Sequence, residues 1–183
     1  MSKFLEQILE DNKCFVQEER FEEFITTKYP DKKLAILACM DTRLTALLPA
    51  ALNLKNGDVK IIKNAGGLIS HPFGEVTRSL IVAIYELGVE DILVLGHTDC
   101  GMRGIDTAHI EKKMMERGIT ENDLTMIRNC GIELEKWLHG FDDEEESVIK
   151  TVNSIRNHPL IPEDVNIHGY IMDSVTGELN EVC

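Results

Sequence analysis

The sequence lacks paired cysteines, an excess of basic residues and long apolar runs, and each absence disfavours one class of protein. It contains 5 cysteines, an odd number that does not suit a framework of paired disulfides. Lysine and arginine total 19 against 32 aspartates and glutamates, an acidic excess that disfavours partners attracted to a basic surface. No apolar run reaches the length needed to span a bilayer. We therefore expect no nucleic acid and no membrane among the partners.

The remaining composition is that of a globular enzyme. A chain of 183 residues is long enough for one sizeable core, so a single domain over 1–183 is expected. Charged residues interrupt the N-terminal segment too often for the apolar core of a signal peptide. The cysteines are odd in number and show no pairing pattern, which favours a reducing compartment. These observations together predict a cytoplasmic protein.

Helix and strand signals alternate along the chain without repeats or linkers. This alternation predicts an α/β fold, in which a mainly parallel central β-sheet is flanked by helices. A helical pattern over 75–87 ends before Gly88, a residue type that commonly closes helices. The segments with strand patterns are 34–38, 59–62, 91–95 and 165–172, the last of which is predicted to be the final strand. The first three are aliphatic enough to be buried on both faces of the sheet.

The first two dozen residues carry an amphipathic helical pattern. One stripe of this helix would contain Phe4, Leu5, Ile8, Leu9, Phe15 and Val16. Because such a stripe needs a surface to cover, residues 1–28 are predicted to form an N-terminal helical arm. The rest divides into a core over 34–102 and a region over 103–183 that holds helices and the last strand.

Two short motifs follow the first and third predicted strands. They are Cys39-Met40-Asp41-Thr42-Arg43 and Gly96-His97-Thr98-Asp99-Cys100-Gly101. Parallel strands present their carboxyl ends at one edge of the sheet, where α/β proteins bind ligands, so the motifs should meet there. Cys39, His97 and Cys100 would offer two thiolates and one imidazole, a set that suits zinc. Three protein ligands leave one tetrahedral position open, which is typical of a catalytic site, and we expect one Zn²⁺ per chain.

The order Cys-x-Asp-x-Arg, strand, helix, strand and Gly-His-x-x-Cys-Gly resembles the β-class carbonic anhydrases. The resemblance covers roughly 34–102 and includes Lys63-Asn64-Ala65-Gly66 after the second strand. It implies that Cys39, His97 and Cys100 bind zinc and that Asp41 and Arg43 form a functional dyad. It also implies reversible hydration of carbon dioxide to bicarbonate and a proton through zinc-bound hydroxide. The arm would then wrap over a partner subunit, giving a homodimer or a multiple of dimers.

The chemistry of Asp41 and Arg43 itself suggests how this dyad could act. The Asp41 carboxylate could accept a hydrogen bond from the reacting water and orient it towards the carbon of carbon dioxide. The donor fork of Arg43 could grip that carboxylate and keep it off the metal. The same two residues form a structural ion pair in the simpler interpretation.

Two other functions remain open. A hydrolase of carbon disulfide or carbonyl sulfide could use the same ligands, because the walls of the pocket rather than the ligands select the substrate. A non-catalytic, zinc-stabilised binding protein would instead have four protein ligands on the metal. A zinc deaminase is excluded because its second motif is missing, and the missing dinucleotide-binding motif disfavours a zinc alcohol dehydrogenase.

Overall fold

A computed structural model describes residues 2–183 of the chain. Its strands are β1 (Leu34–Cys39), β2 (Val59–Asn64), β3 (Asp91–His97), β4 (Asn166–Met172) and β5 (Leu179–Glu181). They form one sheet in the order β2-β1-β3-β4-β5. The first four strands run parallel, and β5 runs antiparallel to β4. The predicted α/β fold with a mainly parallel sheet is therefore confirmed.

Helices follow or flank the strands along the described chain. They are α1 (Lys3–Gln17), α2 (Leu44–Ala51), α3 (Glu75–Tyr85), α4 (Thr107–Glu116), α5 (Glu121–Asn129), α6 (Leu134–Leu138) and α7 (Glu144–Arg156), with a 3₁₀ turn at Glu22–Phe24. Helix α3 ends two residues before the predicted limit, and Gly88 then takes a positive φ of 70°. Helix α2 was not predicted, because its run LTALLPAA has no polar face that would give it a helical period.

The core lies on both faces of the two central strands. On one face, Ala35 of β1 and Val94 of β3 pack with Leu80 of α3 and Val152 of α7. On the other face, Ile36, Ala38, Leu95 and Met172 pack with Leu44 and Leu48 of α2. Cys39 and Cys100 belong to this second cluster, so the predicted metal ligands lie against a solid apolar layer.

Strand β2 differs from the expectation for 59–62. It lies at the edge of the sheet, and Ile61 is 43% exposed, so β2 is not buried on both faces. Its aliphatic composition matches that of a central strand, but only the order of the strands in space makes it an edge. An edge strand keeps unpaired backbone groups along one side.

The C-terminal region contains one strand more than expected. The strand predicted at 165–172 is β4, but β5 follows it, so the expectation that β4 is the last strand is wrong. Asp173 shapes the intervening turn, where its carboxylate accepts the backbone N–H groups of Val175 and Thr176. Three residues are too few for β5 to show a strand pattern in the sequence.

The N-terminal segment is helical, as expected, but it is not one continuous helix. Helix α1 ends at Gln17, and a turn separates it from the 3₁₀ segment at Glu22–Phe24. None of the side chains of α1 is buried, and Phe4 is 75% exposed. Among residues 2–183, no helix combines the length and the apolar character needed to cross a membrane.

Candidate metal centre and active site

The sheet brings the two sequence motifs together at one edge. Cys39 is the last residue of β1, His97 is the last residue of β3, and Cys100 lies in the turn that follows β3. Strands β1 and β3 are parallel neighbours. The Sγ atoms of Cys39 and Cys100 are 3.8 Å apart, and the possible ligand atoms of the three residues all lie within 4.8 Å of one another. All three side chains are buried.

The imidazole of His97 is oriented for metal binding. Its Nδ1 lies 2.9 Å from the carbonyl oxygen of Thr98, and a carbonyl can only accept, so Nδ1 carries the proton. Nε2 then has its lone pair free, and this buried atom has no hydrogen-bond partner among the described residues. A buried polar atom without a partner is costly, and a metal ion would satisfy it. Two sulfurs and this nitrogen are the donor types that zinc prefers, so the residues fit a zinc ion.

The two cysteines have opposite shifts in their acidity. A hydrogen bond from Cys100 lowers the pKa of Cys39 against the opposing effect of burial, and the backbone N–H groups of Gly66 and Asp41 also favour the thiolate. The same contact with Cys39, together with burial, raises the pKa of Cys100. These shifts favour the thiolate at Cys39 and the protonated thiol at Cys100. Binding of a cation would displace that proton, because thiolates rather than thiols ligate metals.

Asp41 and Arg43 form a bidentate pair beside this cluster. Nε of Arg43 donates to Oδ1 of Asp41 at 3.0 Å, and Nη2 donates to Oδ2 at 2.9 Å. These bonds from Arg43 hold the pKa of Asp41 at about 2, so the carboxylate is ionised near neutral pH. Oδ2 of Asp41 lies 4.0 Å from Nε2 of His97. The carboxylate therefore lies next to the three possible ligands while its oxygens are engaged by Arg43.

Asp99, for which the sequence predicts no role, also contacts Arg43. Its Oδ2 accepts from Nη1 of Arg43 at 2.8 Å, and its carbonyl oxygen accepts from Nη2 at 2.7 Å. Fifty-six positions separate the two residues, so no local pattern reveals the contact. The only feature of the sequence that points to Asp99 is its place between the possible ligands His97 and Cys100.

A third loop, after β2, packs directly against the first ligand. A Cβ added at Gly67 would lie 2.9 Å from the backbone nitrogen of Cys39, and Gly67 has a φ of 63°. Both the close approach and the positive φ require glycine at this position. Asn64 closes the loop, since its side chain donates to the carbonyl of Leu68 and accepts from its N–H. The loop that begins in the segment Lys63–Gly66, which resembles the family in sequence, therefore packs against the backbone of Cys39.

Comparisons with known proteins agree with this geometry. The model of a family described as carbonic anhydrase matches residues 34–179. YvdA of Bacillus subtilis, named as a carbonic anhydrase candidate, is 51% identical over 178 residues, which cover 97% of this chain and 90% of the relative. A crystal structure of the β-carbonic anhydrase isoform I of Trichomonas vaginalis superposes with a TM-score of 0.89 at 34% identity, covering 100% of this chain and 98% of the other. The chain belongs to the β-carbonic anhydrase family.

The family also contains relatives with a different named activity. A carbon disulfide hydrolase of Acidithiobacillus thiooxidans is 33% identical over 156 residues, covering 81% of this chain and 76% of the relative. The fold and the family thus define the class of protein, whereas the residues around the site determine the substrate.

Proposed function

We propose that this protein is a zinc enzyme that reversibly hydrates carbon dioxide to bicarbonate and a proton. The observation that carries the proposal is the buried cluster of Cys39, His97 and Cys100 with the Asp41–Arg43 pair beside it, in a chain of the β-carbonic anhydrase family. One zinc per chain would be held by the two Sγ atoms and by Nε2 of His97. Bound there, zinc supplies the Lewis acidity that lets water react with carbon dioxide near neutral pH.

Asp41 positions the reacting water. An ionised carboxylate can only accept hydrogen bonds, so a water molecule beside the ligand cluster donates to Asp41 and turns a lone pair towards the carbon of carbon dioxide. Three donors of Arg43, namely the backbone N–H, Nε and Nη2, hold the carboxylate at 2.9–3.0 Å. A carboxylate bonded in this way is kept from ligating the metal itself. The fourth position thus stays available to the reaction.

The second candidate function is hydrolysis of carbon disulfide. The specific support is the Acidithiobacillus relative at 33% identity, which shows that this family includes that named activity. Carbon dioxide and carbon disulfide both contain an electrophilic carbon of the same valence. The zinc ligands therefore do not indicate which of the two is the substrate. Turnover measured on each substrate with the same preparation decides between them. A purely structural zinc site is disfavoured by the pairing of Asp41 with Arg43, since that pairing keeps a nearby carboxylate from becoming a fourth ligand.

The proposal extends to assembly and location. We infer a homodimer or a multiple of dimers, supported by the exposed apolar residues of α1 and by the exposed edge strand β2. The cysteines are all free in the described chain, which supports a reducing, cytoplasmic location.

A stopped-flow assay of carbon dioxide hydration, with zinc measured on the same sample, tests the function. We expect turnover well above the buffer background and about one zinc per chain. Because two thiolates weaken the acidity that zinc confers compared with three neutral histidines, the rate should increase into the alkaline range. Zinc-loaded protein without turnover from mildly acidic to clearly alkaline pH would overturn the proposal. Turnover of carbon disulfide alone would favour the second candidate.

A further inference from the structure

The guanidinium of Arg43 joins the two loops that carry the possible metal ligands. It donates two hydrogen bonds to the side chain of Asp41, in the loop after β1, and two to Asp99, in the turn after β3. A guanidinium has five N–H groups, of which these contacts use four. Because the group is planar and rigid, bonds along two of its edges fix its orientation as well as its position.

The two aspartates do not compete for the same hydrogens. Asp41 takes the Nε–H and one hydrogen of Nη2, along one edge of the guanidinium. Asp99 takes a hydrogen of Nη1 with its carboxylate and the second hydrogen of Nη2 with its backbone carbonyl. Binding by Asp99 therefore leaves the grip of Arg43 on Asp41 complete and adds a second point of attachment.

The backbone at Asp99 makes this second attachment possible. Its φ is 54°, in the left-handed region that glycine, asparagine and aspartate tolerate better than other residues. The turn lies between His97 and Cys100 and directs the carbonyl of Asp99 to Arg43. The side chain is 86% exposed, and an isolated ion pair at such a place contributes little. Its effect must come from sharing one guanidinium with Asp41.

We propose that Asp99 is a positioning residue for the reaction, which fixes Arg43, and through it Asp41, relative to His97 and Cys100. The inference rests on the proposed function, in which Asp41 orients the reacting water. Without the Asp99 carboxylate, Arg43 keeps Asp41 but has one bond fewer to the turn after β3. The pair then moves with the loop after β1, and Asp41 spends less time at the productive distance from the ligand cluster. Small displacements of a positioning group reduce rates strongly.

Three substitutions separate the carboxylate from the backbone conformation. Asp99→Gly keeps the left-handed turn and the carbonyl but removes the carboxylate, whereas Asp99→Ala also strains the turn. Asp99→Asn keeps the turn and a neutral acceptor. We expect kcat to fall about 10- to 100-fold in the glycine and alanine variants, the range seen when groups that orient metal sites are removed. The asparagine variant should recover part of the loss, because an uncharged acceptor forms a weaker bond.

Three further measurements distinguish positioning from a general structural effect. KM for carbon dioxide should change less than kcat, because Asp99 acts through Arg43, and zinc should remain at about one per chain. In NMR spectra of the zinc-loaded protein, the Nη–H signals of Arg43 should be separate and slowly exchanging in the wild type and averaged in Asp99→Gly. Glu90→Gln is the matched control, since this exposed carboxylate pairs with Lys33 at the opposite end of β3.

The outcomes are separable. Wild-type kcat and unchanged Arg43 signals in Asp99→Gly would overturn the role of Asp99, even if Asp99→Ala were impaired, because only the backbone conformation would then matter. Loss of zinc in parallel with activity in Asp99→Gly would also overturn it, since the residue would then support metal binding. A wild-type protein without hydration activity would instead overturn the proposed function.

Discussion

The metal centre and helix α1 use their side chains in opposite ways. At the centre, Cys39, His97 and Cys100 are at most 6% exposed, and the two loops that carry them are joined through Arg43. Along α1, no side chain is buried, and most of the apolar stripe is exposed, namely Phe4, Leu5, Ile8, Leu9 and Val16. The sheet of a single chain thus brings the three possible metal ligands together, whereas the side chains of α1 receive no comparable burial from their own chain. An isolated helix of 15 residues is marginal in water, which supports the proposal that a partner surface covers α1.

Of these two regions, the metal centre should be the more sensitive to substitution. Removing one of its buried ligands should therefore have the largest effect. Cys39→Ser and Cys100→Ser replace a soft thiolate with a hard, protonated oxygen that is a poor ligand for zinc. Loss of a residue that only hydrogen-bonds to a metal ligand typically lowers metal affinity by about 10- to 100-fold. Loss of a ligand itself should therefore lower zinc affinity by more than about 100-fold. Hydration activity should disappear with the metal. Elemental analysis and the stopped-flow assay on the same samples provide the measurement.

The exposed Cys130 provides the matched control for these variants. Cys130→Ser should retain one zinc per chain and wild-type turnover. Stoichiometric zinc in either Cys39→Ser or Cys100→Ser would contradict the assigned ligand set.

Asp41→Asn should have the next largest effect and should leave the metal in place. The amide keeps the shape of the carboxylate but presents donors as well as an acceptor, and it loses the charge that Arg43 grips. Turnover should fall by about one to three orders of magnitude, equivalent to roughly 1.4–4 kcal/mol of barrier. Zinc content measured by elemental analysis should stay at about one per chain. Unchanged kcat in the zinc-loaded variant would show that Asp41 and Arg43 form only a structural ion pair.

The arm can be tested by adding charge to its apolar stripe. Ile8→Glu would place a carboxylate where a partner surface is proposed to cover α1. Burial of an aliphatic side chain of this size contributes about 1.5–3 kcal/mol, and a symmetric dimer loses it twice. We expect dissociation to increase by at least about 100-fold, measured as mass by light scattering over a dilution series. Gln17→Glu, on the polar side of the same helix, should leave the mass unchanged.

A wild-type mass equal to one chain at micromolar concentration would contradict the proposed dimer. The arm would then have to fold against its own domain in solution, in an arrangement different from that of α1 described above.

The same contrast explains what could be predicted from the sequence. Strands β1 and β3 are aliphatic runs that end in chemically distinctive motifs, so their place and their residues Cys39, His97 and Cys100 followed from local patterns. Helix α2 lacks a polar face, and β5 has only three residues, so neither has a periodic signal. The edge position of β2 depends on strand order in space. The contact of Arg43 with Asp99 depends on two loops 56 positions apart, so only the folded chain reveals it.

The smallest expected effect concerns the turn between β4 and β5, which lies far from α1 in the chain. Here the question is how much the carboxylate of Asp173 contributes to the stability of the fold. The backbone N–H groups of Thr176 and Val175 bond to the carboxylate of Asp173 and lower its pKa. A group with a lowered pKa in the folded state stabilises the fold above its unfolded pKa, near 3.9 for aspartate, and loses this contribution as the pH falls through the folded value. Asp173→Asn should therefore lower the denaturant midpoint slightly at pH 7, and the difference from wild type should shrink below about pH 4. Glu178→Gln, an exposed carboxylate in the same turn, is the control for the change in net charge. An equal deficit at pH 7 and at pH 3, measured by urea unfolding, would show that the shape of the residue rather than its charge stabilises the turn.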